Sequence, residues 1–405
     1  MDNVSPTVPP DTQATLLLCA SFGQSGDADA RPLTLAELNR LETALAAQER
    51  QLADLLSGGP WIDALAEAAE PERLRALLGR GALLALAVEQ WTAAGLWILS
   101  RGHPGYPPRL LRQLGPSAPC LLYGVGTREL LDHGGLALVG SRDASPDALS
   151  FTQGVAQRCA EQSLGVISGG ARGIDAAAIR AALEAGGRAV AVLADNLLRA
   201  ATVNENKAAI RDERLTLATP HDPDAHFTVW RAMERNGCLY GLADFAVAVQ
   251  FTADKGGTWA GTIEHLKRSE RLPQATPVLV RQSGNPQEGL HQLFELGAVP
   301  FPEEAWRGSC QELLRLATRK LTAPTLPLPE SADFYAAALP LLLDALREPR
   351  DRGSLQAFAE QRNLSNKQLD LWLALAVEHG HIKKKRIGKS VRYVAAAQSL
   401  FDQIG

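Results

Sequence analysis

The sequence predicts an α/β protein organised around a parallel, doubly wound sheet, and three observations predict it. Short apolar runs recur at Leu136–Val139, Gly165–Ile167, Ala189–Leu193, Phe245–Val249 and Val278–Val280. These runs end at glycines and are followed by alanine-rich stretches of helical character, so strand and helix alternate along the middle of the chain. Such alternation demands right-handed crossovers with helices on both faces, the arrangement of a Rossmann-like sheet. The third observation is length: 405 residues, at roughly 150 per domain, leave room for flanking modules beside that core.

The first hundred residues read as a small helical module. Leu38, Leu41 and Leu45, then Leu52, Leu55 and Leu56, recur at helical spacing among charged residues, and a second such stretch runs from Trp61 to Leu78. On the far side of the sheet, Pro324, Pro327 and Pro329 deny backbone donors and hold the chain extended, which reads as a linker. Helical patterns follow at Phe334–Leu346 and Leu355–Arg362. Ser365 to Gln368 has the spacing of a capping box that opens a helix reaching about His379. Two β-like arms around Gly388 come next, and three helices with a basic hairpin suggest a winged helix. The expected organisation is a helical accessory domain over 1–102, an extended Rossmann domain over 103–305, a linker over 306–332 and a winged-helix-like domain over 333–405.

Composition narrows the function. With 41 Lys+Arg against 45 Asp+Glu the net charge is −4, so any affinity for nucleic acid must come from a local patch rather than a global field. The cysteines at 19, 120, 159, 238 and 310 are odd in number and never in a Cys-x-x-Cys pair, which argues against a disulfide framework or a zinc ribbon. The opening, Met1 to Pro6, lacks a basic stretch feeding an apolar one, and the apolar segment Gly81–Leu99 is cut by Glu89, Gln90 and Thr92. A cytoplasmic protein without a membrane span is expected. The eight histidines show no metal-binding spacing, and no Ser-His-Asp arrangement can be placed, so neither a metal nor a catalytic residue is expected.

Four constellations sit where strands give way to helices. Val139-Gly140-Ser141-Arg142 ends the first run, where a glycine permits a tight turn and lets amides, a hydroxyl and a guanidinium face the crevice at the sheet's carboxyl edge. Ser168-Gly169-Gly170-Ala171-Arg172-Gly173-Ile174-Asp175 joins the second run to its helix. Its glycines and the free amides of the helix start suggest a phosphate cradle. The Gly-Gly-x-x-Gly spacing matches neither the dinucleotide fingerprint nor a Walker A loop, so no nucleotide cofactor is expected, although Asp195 ends the next run where a ribose-binding acid would sit. Arg235-Asn236 precedes the fourth run, and Lys255-Gly256-Gly257-Thr258 follows it. Arg142, Arg172, Arg235 and Lys255 would then share one rim. Four cations at a crevice favour a polyanion, and a groove tracking a single strand's backbone is the expected result.

In order along the chain, these segments resemble the DNA-processing protein A family, DprA or Smf. The resemblance starts at Tyr106-Pro107-Pro108-Arg109-Leu110 and Pro119 to Gly124. It continues through Gly140-Ser141-Arg142, Ser168 to Asp175, Ala182 to Gly187, Glu205-Asn206, Arg235-Asn236 and Gly297-Ala298. It implies sequence-independent binding of single-stranded DNA, homodimerisation, and hand-over of that strand to a RecA-type recombinase in natural transformation or related DNA processing. It carries DNA binding to Gly140, Ser141, Arg142, Gly169, Gly170, Arg172, Gly173, Arg235 and Asn236, and names Arg199 and Lys207 as the basic positions near Glu205-Asn206. The chain departs from the family pattern at Ala178-Ile179, at Thr202-Val203-Asn204, and at Ala232-Met233, which stand where Ala-His, a Tyr-Pro and Phe-Pro are usual; Gly237 replaces a family arginine. A divergent member serving repair or phage defence would look like this.

Two further readings concern the flanks of that core. Lys255 to Glu264 is similar to the phosphate loop of LOG-type nucleotide phosphoribohydrolases, in which case Glu264 would assist N-glycosidic cleavage. In the C-terminal module Lys383, Lys384, Lys385, Arg386, Lys389 and Arg392 are basic with no acid among them, so the wing is expected to lie along duplex DNA phosphates.

Overall fold

A computed structural model describes residues 8–23, 31–272, 274–301, 339, 342–343, 345–346, 350–360, 366–387 and 390–395. The linker with its prolines, most of the Phe334–Leu346 helix, Ser365 of the capping box, and Gly388 with Lys389 lie outside the described residues. The chain divides into two compact units, Met1–Leu321 and Thr322–Gly405.

The first unit is built on nine strands: β1 (Trp97–Ser100), β2 (Leu121–Val125), β3 (Leu136–Val139), β4 (Val166–Ser168), β5 (Ala189–Val192), β6 (Leu215–Thr219), β7 (Phe245–Ala248), β8 (Val278–Val280) and β9 (Val299–Pro300). They form one sheet in the order β1-β2-β6-β5-β4-β3-β7-β8-β9. From β6 to β9 every neighbouring pair is parallel, while β2 runs antiparallel to β6 and β1 antiparallel to β2. All five expected runs are strands. Four strands escaped the sequence reading, and β6 shows why: Leu-Thr-Leu-Ala-Thr alternates polar with apolar, yet it is buried throughout. Thr216 and Thr219 are tolerated because each hydroxyl finds a backbone partner, Thr127 O at 2.6 Å and His221 N at 3.3 Å.

Among the described residues of this unit the α-helices are α1 (Pro10–Cys19), α2 (Leu35–Ala46), α3 (Pro71–Leu78), α4 (Gly81–Ala93), α5 (Pro108–Leu114), α6 (Pro146–Glu161), α7 (Ile174–Glu184), α8 (Leu197–Thr202), α9 (Asn204–Arg211), α10 (Val229–Leu242), α11 (Gly256–Ser269) and α12 (Gln287–Glu295). The period-two geometry of a strand sorts them onto two faces. Leu136 and Leu138 of β3 pack with Val155 of α6 and Ile174 and Ala178 of α7. Ala137 and Val139, the alternate residues, pack with Leu239 of α10 and Trp259 and Leu266 of α11. Sheet and helices therefore make a three-layer sandwich, as doubly wound topology requires.

The leucines of the first hundred residues are buried as their spacing implies: Leu38, Leu41, Leu45, Leu52 and Leu55 share a cluster with Leu74 and Leu77. The helical run from Leu35 is broken, however. α2 starts at a capping box between Thr34 and Glu37 and ends at Ala46, and the chain resumes as a 3-10 turn at Leu52–Ser57. Helix α1, which no spacing announced, has Ala14 and Leu18 in that same cluster and Leu16 and Leu17 in a cluster on β2, β5 and β6. A helix apolar all round is one buried on more than one side. Among the described residues no helix is long and apolar enough to cross a membrane.

The second unit contains β10 (Arg350–Asp351), α13 (Arg352–Glu360), α14 (Asn366–Glu378), β11 (Ile382–Ile387) and β12 (Ser390–Ala395). Its sheet runs β10-β12-β11, antiparallel throughout. Leu355, Leu369, Leu373, Ala376 and Ile382 form its core.

Candidate functional site

Strands β3 and β7 are neighbours, but the chain leaves β3 toward β4 and leaves β7 toward β8, on opposite sides. Beyond the carboxyl ends of strands at such a reversal the crossovers part and leave a crevice. A cavity of about 420 Å³ lies there. Its lining includes Gly140, Ser141 and Arg142 after β3, Arg235 and Asn236 of α10, and Lys255 before α11. A second cavity of about 300 Å³ shares Arg142, Phe227 and Arg235 with the first and is lined further by Gly169, Gly170 and Arg199. Nine of the residues singled out in the sequence thus gather around two adjoining hollows. Arg172, Gly173 and Lys207 line neither, and Lys383, Lys384, Lys385 and Arg386 belong to the second unit.

The expected ring of four exposed cations needs correction. Arg235 is 4% exposed, and its Nη1 lies 3.5 Å from the buried Asp175 carboxylate. Burial raises the Asp175 pKa, against the pull of Arg235 and of donated amides from Ala171 and Gly140. The glycine loop is shaped around this pair: a Cβ on Gly169 would sit 1.4 Å from Arg235 Nη1 and 2.4 Å from Asp175 Oδ2. The expected phosphate cradle also changes. Its Ala171 amide serves the chain's own Asp175 carboxylate and its Ile174 N–H donates to Ser141 O at 3.2 Å, while in the neighbouring turn the Gly140 amide also serves Asp175 and Ser141 N–H donates to Gln250 O at 2.8 Å. A helix start attracts an anion, and here that anion is Asp175. Arg172 likewise pairs with Asp143 at 2.7 Å, in solvent.

Positive charge nevertheless remains. Arg142 is exposed, with its guanidinium carbon 4.4 Å above the Phe227 ring, a cation–π contact that holds it between the two cavities. Arg142, Arg199 and Lys255 make no ion pair among the described residues. Both carboxylates lining the larger cavity, Asp143 and Asp175, are already engaged. Helix α11 begins at this cavity with no side-chain cap and no acidic residue in its first turn, so its first amides are open to an anion. Asn236 fixes that helix start by donating Nδ2–H to Gly257 O at 3.0 Å.

Glu264 lies elsewhere. It is about 10 Å further along α11 than Gly257, pairs with Arg268 at 2.8 Å and does not line the cavity. Asp195 lines the smaller cavity and accepts from Asn196 Nδ2 at 2.7 Å. Among the described residues no group of three or more His, Cys, Asp or Glu could hold a metal ion.

Sequence reading missed the apolar rim. Phe227, Val229 and Trp230 are 40, 69 and 67% exposed, just ahead of Arg235-Asn236. Their signal was available, since three large apolar residues within Phe227–Trp230 have no helical or strand period to bury them. Behind them, His221 donates Nε2–H to Arg231 O at 3.1 Å, and its Nδ1 is 3.7 Å from Glu234. Burial pushes His221 down to about 4 and Glu234 up to about 7.

Comparison with known proteins gives a consistent neighbourhood. Residues 97–305 match the family model described as DNA recombination-mediator protein A. The putative DNA processing protein DprA of Mycobacterium tuberculosis is 31% identical over 215 residues, 53% of this chain and 51% of that protein. The DNA processing protein DprA of Streptococcus pneumoniae is 41% identical over 80 residues, 20% of this chain and 28% of that one. The chain therefore spans about half the length of the Mycobacterium relative and less of the Streptococcus one. Among solved structures, DNA processing protein A of Streptococcus pneumoniae is 21% identical, with a TM-score of 0.49 over 66% of this chain and 94% of that one. The Helicobacter pylori protein, described for its single-stranded DNA binding mode, is 21% identical, with a TM-score of 0.42 over 54% and 94%.

Proposed function

The chain belongs to the DNA recombination-mediator protein A family, and from that premise we propose that the paired cavities bind single-stranded DNA without catalysing a reaction on it. The observation that carries this reading is the convergence of Arg142, Arg199, Lys255 and the uncapped start of α11 on two adjoining hollows. One phosphate would sit at the α11 amides beside Lys255, and Arg142, held by Phe227, would reach the next. Phosphate contacts position a strand without reading its sequence, so binding would tolerate any base order. Arg235 takes part indirectly, by anchoring the glycine loop.

We further propose that the bound strand is protected and passed to a RecA-type recombinase by a homodimer in the cytoplasm, in natural transformation or another DNA-processing route; the family description, a DNA recombination mediator, supports the recombinase step. The order α13, α14 and the antiparallel arms β11 and β12 supports reading the second unit as a winged helix whose wing touches duplex phosphates. The test is fluorescence anisotropy with labelled single-stranded and duplex DNA at two salt concentrations. Expected are single-strand binding that weakens with salt and roughly a ten-fold loss for Arg142→Ala, in keeping with one charged contact. An unchanged affinity in both Arg142→Ala and Lys255→Ala would overturn the assignment of this cleft.

A further inference from the structure

Large apolar side chains left in water beside a charged cleft call for an occupant. Val229 lines the larger cavity and Phe227 lines both, while Trp230, which lines neither, follows Val229 in the first turn of α10. The Thr228 hydroxyl caps that turn through Arg231 N at 3.2 Å, so the two rings are carried on a fixed backbone. Trp230 is also backed from behind: its ring centroid is 6.0 Å from that of buried His221, whose Nε2 is tied to Arg231 O. A rigid, exposed indole costs little entropy to use and offers a large flat face. The cleft beside it carries Arg142, Arg199 and Lys255 with no ion pair among the described residues, while Asp143 and Asp175 are engaged, which favours an anionic partner bearing flat apolar groups over a neutral protein surface.

Single-stranded nucleic acid has that chemistry, phosphates alternating with unpaired bases. Resting on the single-strand reading of the cleft, we propose that Trp230 is a stacking platform for the base of a nucleotide adjoining the one whose phosphate occupies the cleft, with Val229 and the Arg142–Phe227 pair along its path. The cavity then supplies charge and Trp230 supplies the requirement that the strand carry bases at all.

The experiment compares a thymine oligonucleotide with the same strand made abasic at its central positions, using the full chain. Wild type should prefer the base-bearing strand by about five-fold or more, the worth of one base–aromatic stack. Trp230→Phe should keep most of that preference and Trp230→Ala should abolish it, both with unchanged salt dependence. A Trp230→Ala protein that discriminates as wild type does, or a wild type indifferent to missing bases, would overturn the stacking role. Loss of both strands alike in Arg142→Ala, with the Trp230→Ala ratio unchanged, would overturn it while upholding the cleft. No response of either strand to Arg142→Ala and Lys255→Ala would instead reject the cleft reading itself.

Discussion

The cleft of the first unit and the basic strand of the second arrange their cations by opposite rules. In the cleft, Arg235 is committed to Asp175 and Arg142 to the face of Phe227, and outside it Arg172 is paired with Asp143. Along β11, Lys383, Lys384, Lys385 and Arg386 are all exposed, with Lys384 over Tyr393 at 5.7 Å as the one aromatic contact among the described residues. Lys385 even stands opposite Arg392 across the hairpin, a like-charge pair that an anion would relieve. Successive strand residues face opposite ways, so these four cannot all meet one phosphate row. The difference separates recognition by shape from attraction by charge. A cleft with few free cations in fixed places selects what fits, whereas an unpaired basic strand attracts any polyanion and yields to salt.

The largest way to break this comparison is through stability. Arg235→Ala would strand the Asp175 carboxylate in the interior and should cost about 3 to 5 kcal/mol, whereas Lys383→Ala should stay within about 0.5 kcal/mol. Urea unfolding measures both; equal, small effects would mean that Arg235 is not committed to the fold. Next comes salt. Replacing Lys383, Lys384, Lys385 and Arg386 together by alanine should flatten the dependence of duplex affinity on log salt by up to about 0.9 per lost contact, and Arg142→Ala should flatten that for single strands by about 0.7. Anisotropy titrations over a salt series decide it. Equal slopes for all proteins would erase the distinction.

A smaller, proton-linked effect belongs to the His221–Glu234 pair behind the apolar residues. Glu234, raised to about 7, binds more protons folded than unfolded, so its contribution falls as pH rises from about 4.5 to 7. His221, lowered to about 4, binds fewer protons folded, so its contribution rises from about pH 4 to 6.5. The two oppose each other in wild type. Glu234→Gln should therefore leave stability rising across that window and His221→Asn should leave it falling, by about 1 kcal/mol each after allowance for solvent. Thermal melts between pH 4 and 7.5 would show the opposite slopes, and parallel profiles would refute the opposed shifts. Smallest of all, Asn236→Ala removes the bond to Gly257 O and should cost about 1 kcal/mol, with a slight weakening of single-strand binding as the α11 start loosens.

How much of this could be read beforehand depended on whether the signal was local. β3 and β8 were legible to the residue because an apolar run bounded by turn residues has one economical conformation. β6 was not, because its buried Thr216 is satisfied by a partner 89 residues away, which no window over the strand contains. α1 escaped for a related reason, since its apolar surface is divided between two clusters that form only when the sheet and the N-terminal helices are both in place.

The sequence by itself determined the alternation of strands and helices, the glycine turns at their junctions and the presence of Arg142 and Lys255 near those turns, all consequences of short-range sterics and period. Only the tertiary structure decided which guanidinium meets water. Arg142, after a strand, and Arg235, within helix α10, look equally free as arginines in the sequence, yet Arg235 faces a buried carboxylate across the loop opened by Gly169 and Arg142 lies over Phe227 at the mouth. The reason is desolvation: a charge taken from water must find its partner through space, and sequence distance does not record who that partner is.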